Sequence, residues 1–252
     1  MSRISRLARL LALTLVALAA PALAAAPMPV TLTAADNVKV FATYYGTGNA
    51  SKPIVLLFHQ AAGSGAEYAT IAPRFNALGF NALAIDQRSG GNLFGRANKT
   101  VLALGHSTGY RAALPDLQAA LDWARAHDSG KIVVCGSSYS AALVFPLAAD
   151  NPGKIAGLLA FSPGEYLGQA HAVRDAAAKL KDVKVFVSSA SNRGEVAAAR
   201  AILAAVPSPK KTQVVPKHAP HGASALNADT NPAGYKQVWA EVERFLGGLR
   251  QP

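Results

Sequence analysis

Short apolar runs recur along this chain, each followed by a stretch of helical periodicity. Residues 53–59 (Pro-Ile-Val-Leu-Leu-Phe-His), 81–86, 132–135, 155–161 and 183–188 carry almost no polar residue inside the run. A strand with one wet face would alternate, so a continuous apolar run predicts a strand buried on both faces. Helical stretches are expected between these runs at 66–78, 116–126, 168–180, 195–206 and 235–249. In the last, Trp239, Val242 and Leu246 share one face. Alternation of this kind predicts an α/β fold, a mostly parallel central sheet with helices on both faces. Residues 38–44 alternate and read as an early edge strand, 101–104 as a weak strand and 212–216 as a last short one. Ligands of such sheets bind at the carboxyl ends of the strands.

One of these strand ends carries a chemical signal. Lys131-Ile-Val-Val-Cys-Gly-Ser-Ser-Tyr-Ser140 runs into the helical stretch 141–149. Strand, G-x-S-x-small and helix is the layout of a nucleophile elbow, a turn so sharp that the central serine is strained and exposed. The serine is Ser138. Gly136 and Ser140 are the small residues on either side of it, and Ser140 replaces the more usual glycine. Gly105-His-Ser-Thr-Gly109 matches G-x-S-x-G more closely. The next segment, 110–114, is too short for the elbow helix before Pro115, whereas the helix at 116–126 leads directly into the strand at 132. Ser138 is therefore preferred, and Ser107 is placed on a loop near the mouth of the site.

A serine nucleophile needs a base within hydrogen-bond reach. Of six histidines, His218 and His221 share the loop after the last strand, and Gly222 gives the backbone freedom to present the His221 ring. His221 is preferred, with His218 second. The lone cysteine, Cys135, lies in the apolar run and reads as a small buried hydrophobe. One cysteine excludes an intrachain disulfide. Neither a metal-ligand spacing nor a basic and aromatic cluster is present, so no metal, no cofactor and no nucleic-acid partner is implied.

Four segments, taken together, resemble the α/β-hydrolase superfamily over nearly the whole of residues 27–252. His59-Gln-Ala-Ala-Gly-Ser64 resembles the family's H-G-x-G-G loop, with Gln60 in place of the first glycine. Leu78-Gly-Phe-Asn-Ala-Leu-Ala-Ile-Asp-Gln-Arg-Ser-Gly-Gly91 looks like G-F-x-V-x-x-x-D-x-R-G-x-G, in which Asp86 is a structural turn residue. The elbow at Ser138 and the pair His221-Gly222 complete the set. The compact size resembles the dienelactone-hydrolase branch. The resemblance implies that the backbone amides of Ala61 and Tyr139 form an oxyanion hole. It places the triad acid after the strand at 183–188, where Ser189-Ala-Ser-Asn-Arg-Gly-Glu195 puts Asn192 near the usual aspartate position. Glu195 is the only carboxylate in that loop and is the first choice, although it also suits a helix start. Glu165, after the preceding strand, is the alternative. The resemblance implies a serine hydrolase of esters, lactones or thioesters. A peptidase on the same scaffold, or an inactive protein that keeps the fold and binds at the envelope, remain open.

Only 22 residues separate Phe161 from Lys184, room for one helix and no cap domain. That predicts an open cleft for a small-molecule ester or the end of a polymeric one. At the amino end, Arg3, Arg6 and Arg9 precede an apolar core at 10–20 and the small residues Ala22-Leu-Ala-Ala-Ala26. This is the pattern of a signal peptide spanning 1–24, cleaved near Ala24 or Ala26, and it predicts a periplasmic or secreted protein of one domain, 27–252. The apolar core falls short of the about 20 residues that span a bilayer. Cleavage would lower the formal charge from +11 to +8, because three arginines and no acid are lost. The sequence says nothing of oligomeric state.

Overall fold

A computed structural model describes residues 26–250. The segment read as a signal peptide, 1–24, lies outside the described residues. The strands are β1 (Met28–Thr33), β2 (Lys39–Tyr45), β3 (Ile54–Phe58), β4 (Asn81–Ile85), β5 (Ile132–Ser137), β6 (Gly157–Phe161), β7 (Lys184–Ser188) and β8 (Lys211–Val214). The helices are α1 (Ala72–Ala77), α2 (Lys99–Leu104), α3 (Leu114–His127), α4 (Tyr139–Asp150), α5 (Ala172–Ala177), α6 (Arg193–Ala205) and α7 (Tyr235–Leu246). The strands form one sheet in the order β1-β2-β4-β3-β5-β6-β7-β8. Pairing is antiparallel from β1 to β2 and from β2 to β4, and parallel everywhere else. The expected architecture is therefore the observed one.

Every residue of β3, β4, β5 and β6 is buried, as the unbroken apolar runs require. Side chains alternate across the pleat. Leu56 and Phe58 face a layer holding Leu117 of α3, Leu143 of α4, Val173 of α5 and Ile202 of α6. Val55 and Leu57 face the other layer, with Phe75 of α1 and with Trp239 and Val242 of α7. Between β6 and β7 the only helix is α5, so no separate cap domain stands over the strand ends.

The structure corrects several sequence expectations. The edge strand is β1, not the strand near 38–44, which lies inside the sheet between β1 and β4. Only Leu32 of β1 is buried, so its composition carried little strand signal. Residues 101–104 belong to a helix, α2. The Asn98 side chain caps it by accepting from Val101 N–H at 2.9 Å, and Gly105 ends it at φ 79°. The stretch 66–78 divides into a 3-10 turn, Gly65–Tyr68, and α1, with a proline at the start of α1. The helix expected at 168–180 is reduced to α5, which begins after His171 at φ 66°.

Candidate active site

β5 ends on Ser137 and α4 begins at Tyr139, so Ser138 must reverse the chain alone. It does so at φ 57° and ψ −119°, a conformation that costs a non-glycine residue about 1–3 kcal/mol. Its own N–H is held by Phe161 O of β6 at 2.8 Å. Position 136 tolerates only glycine: an added Cβ would lie 2.3 Å from Ser140 O. Ser140 is accommodated, because its hydroxyl donates to His59 O and accepts from Gln87 Nε2, each at 2.6 Å. The departure from glycine at 140 thus ties the elbow to the loop after β3. Ser107 is exposed in the turn beyond α2, and Tyr110 a few residues on stacks on Tyr139 with centroids 4.6 Å apart.

The loop after β8 delivers His221. Its Nε2 is 2.7 Å from Ser138 Oγ, and its Nδ1 is 3.1 Å from Glu195 Oε1. Gly222 beside it sits at φ 72° and donates its N–H to Ser162 Oγ at 3.0 Å. A Cβ there would lie 2.4 Å from Ser137 Oγ. His218 is exposed, and its ring makes no hydrogen bond or ion pair among the described residues. His59 is fully buried. Its Nε2 accepts from Gln87 N–H at 2.9 Å, so its Nδ1–H is the donor to Gln60 O at 2.8 Å. Burial pushes its pKa down to about 4. This fixes one neutral tautomer and leaves His59 unable to act as a base.

Glu195 stands in the first turn of α6, capped by Asn192, whose Oδ1 accepts from Glu195 N–H at 3.0 Å. The Glu195 carboxylate accepts from Asn192 Nδ2 at 3.0 Å and from Ala190 N–H at 3.1 Å. Burial works to raise its pKa, but hydrogen bonds from Ser162, His221 and Asn192 outweigh it, and the net shift is downward. The helix-start role and the contact with His221 therefore coincide in one residue. Asn192, near the usual acid position, serves as the helix cap. Glu165 is turned away to the start of α5. There it accepts from Val173 N–H at 2.8 Å and from Arg174 N–H at 3.2 Å, and pairs with the Arg174 guanidinium.

The two amides expected to form the oxyanion hole are both without an acceptor among the described residues. Tyr139 N–H is the first of α4, without an intrahelical acceptor. Ala61 is half-buried in the loop after β3, and its N–H has no acceptor among the described residues. Asp86 is a structural residue, accepting from Gly65 and Lys99 N–H groups and pairing with Arg96. Residues 49–196, which hold Ala61, Ser138, Tyr139 and Glu195, match the family model described as serine aminopeptidase, S33. The chain belongs to this α/β-hydrolase family. It is a serine hydrolase.

Solved structures similar to the hydrolase share its fold. An esterase of Pyrococcus furiosus, Pf2001, is 20% identical with a TM-score of 0.67, over 89% of this chain and 93% of its own. A dienelactone hydrolase of Anabaena variabilis is 16% identical with a TM-score of 0.67, over 90% and 99%. Est1E of Butyrivibrio proteoclasticus, solved with ferulic acid bound, is 16% identical with a TM-score of 0.63, over 87% and 98%. No curated protein matches the hydrolase.

The hydrolase's other reactive groups stand apart from this chemistry. Cys135 is buried, and burial raises its thiol pKa far above the ordinary value. Among the described residues, no group of three or more His, Cys, Asp and Glu could hold a metal ion, and no helix is long and apolar enough to cross a membrane. The sequence reading missed Glu67 altogether. This buried carboxylate accepts from Gln60 N–H and from Ser137 O–H, each at 2.7 Å. Nothing local marked it, because its partners lie 7 and 70 residues away.

Proposed function

We propose that the hydrolase is exported and cleaves an ester, lactone or thioester through an acyl-enzyme on Ser138. The carrying observation is the chain of contacts Ser138 Oγ to His221 Nε2 and His221 Nδ1 to Glu195. In this reading Ser138 Oγ attacks the acyl carbon as its proton passes to His221 Nε2. The tetrahedral oxyanion accepts hydrogen bonds from Ala61 and Tyr139 N–H. Collapse expels the alcohol or thiol, which takes the proton from His221. Water then attacks the acyl-enzyme with His221 again as base, releasing the acid and restoring Ser138. Glu195 holds the Nδ1–H tautomer and stabilises the imidazolium. With only α5 between β6 and β7, the cleft would admit a small ester or the end of a polymer.

The family's description favours a second reading, an aminopeptidase. Such an enzyme must hold the α-ammonium of its substrate with an acceptor beside the scissile bond. Glu195, Glu165 and Glu67 are each committed to other partners, which favours the ester. Short-chain 4-nitrophenyl esters and amino-acid 4-nitroanilides separate the two readings. Turnover of the esters without turnover of the anilides is expected, and the reverse would establish the peptidase.

Export rests on the amino-terminal pattern alone. Protein recovered from the periplasm or medium of an expressing bacterium should begin at Ala25 or Pro27 by amino-terminal sequencing. An intact Met1 on exported protein would contradict cleavage and point to an anchor instead, and protein retained in the cytoplasm would contradict export.

A further inference from the structure

The proposed chemistry leaves Glu67 unused, and its surroundings are costly. It lies on the 3-10 turn Gly65–Tyr68, is 4% exposed, and makes no ion pair among the described residues. The titratable groups that face it are Tyr68 of its own turn, Cys135 of β5 and Tyr139 of α4, all buried and held neutral by burial. Burial drives the Glu67 pKa up to about 7, against the bonds from Ser137 and Gln60 that act to lower it. A carboxylate left in such a place without a cation destabilises the fold.

Its partners suggest what offsets that cost. Glu67 Oε2 accepts from Gln60 N–H, next to Ala61. Glu67 Oε1 accepts from Ser137 O–H, next to Ser138. Ser137 Oγ in turn accepts from Ala223 N–H at 2.8 Å, two residues past His221. One side chain, directly or through one hydroxyl, joins the three segments that carry an oxyanion donor, the nucleophile and the base. We propose that Glu67 is a positioning residue that fixes the loop after β3 to the elbow and to the histidine turn, and so holds the Ala61 amide where the oxyanion forms. This rests on the proposed roles of Ser138 and of the Ala61 and Tyr139 amides.

A residue kept for positioning at a cost in stability has a signature that a structural residue lacks. Glu67→Gln keeps the shape and removes the charge. Its carboxamide oxygen still accepts from Gln60 N–H, but this bond is weaker than a charge-assisted one, and Ser137 loses its acceptor. The fold meanwhile sheds a buried charge. The linkage has a definite sign. The folded pKa lies above the ordinary value of 4.5, so between pH 4.5 and about 7 the native state holds a proton that the unfolded chain has released. Stability therefore falls as pH rises through this window, and Glu67→Gln removes that fall.

The experiment measures kcat and KM on a short-chain 4-nitrophenyl ester, and Tm at pH 5 and pH 8, for the mature wild type and Glu67→Gln. Labelling of Ser138 by a fluorophosphonate in both proteins is the control. The expected result is a kcat lower by about 10- to 100-fold with KM within about threefold. Tm should rise by a few degrees at pH 8 and by clearly less at pH 5. Unchanged kcat in an active, labelled protein would overturn the proposal alone. So would a fall in kcat accompanied by a fall in Tm, which marks a merely structural residue. A wild type that neither turns over an ester nor takes the label at Ser138 would overturn the site reading, and the proposal with it.

Discussion

Ser138→Ala should lower kcat by a factor on the order of 10⁶ while leaving the fold intact. Alanine meets the same backbone strain at φ 57° as serine does, and the lost hydroxyl's partner is His221 Nε2. The fold should therefore show the same far-ultraviolet circular dichroism and nearly the same Tm. Ser107→Ala is the matched control, because Ser107 is exposed and has no contact with His221. Its kcat should stay near the wild-type value. A dead Ser107 variant beside an active Ser138 variant would transfer the nucleophile to the loop after α2.

The second large effect belongs to the acid. Glu195 presents one oxygen to His221 Nδ1 and Asn192 Nδ2 and the other to Ala190 N–H, all of them donors. In Glu195→Gln one of those oxygens becomes an NH2 group and must face a donor. If it faces His221, the favoured tautomer moves its proton to Nε2, where the ring no longer accepts from Ser138. In either orientation the charge that stabilises the imidazolium is gone. A triad acid-to-amide change is expected to lower kcat by a factor on the order of 10⁴. Glu165→Gln should leave kcat close to wild type and instead cost about 1 kcal/mol of stability, because Glu165 serves the first amides of α5. The reverse ranking would move the acid to Glu165 and leave Glu195 as a helix-start residue. The lowered pKa of Glu195 also sets a sign. Its stabilising contribution is present above the ordinary carboxylate value and is lost as pH falls through the folded one.

The parts of this structure that were legible in the sequence are those governed by local rules. The runs at β3 to β6 announce a doubly covered sheet because nearly every residue is apolar, and the buried exceptions Asn81 and Ser137 are hydrogen-bonded. Gly136 and Gly222 announce close approaches because any side chain would collide with Ser140 or Ser137. The features that stayed hidden depend on where distant segments bend. The choice between Glu195 and Glu165 turns on Arg174 and the start of α5, which draw Glu165 away. The role of Asn192 is a helix cap, visible only once α6 begins beside it. β1 and α2 were missed for a different reason: β1 buries only Leu32, and the apolar run Val101-Leu-Ala-Leu104 of the largely exposed α2 reads as a short strand. Glu67 is the extreme case, a lone carboxylate whose partners on β5 and the loop after β3 are assembled only by the fold.

The central claim is that Ser138, within reach of His221, is the one activated serine. It is tested most directly by reacting the protein with a fluorophosphonate and mapping the modified peptide by mass spectrometry. The expected result is a single adduct on Ser138, abolished in His221→Ala. An adduct on Ser107, or no adduct on a folded protein, would contradict it.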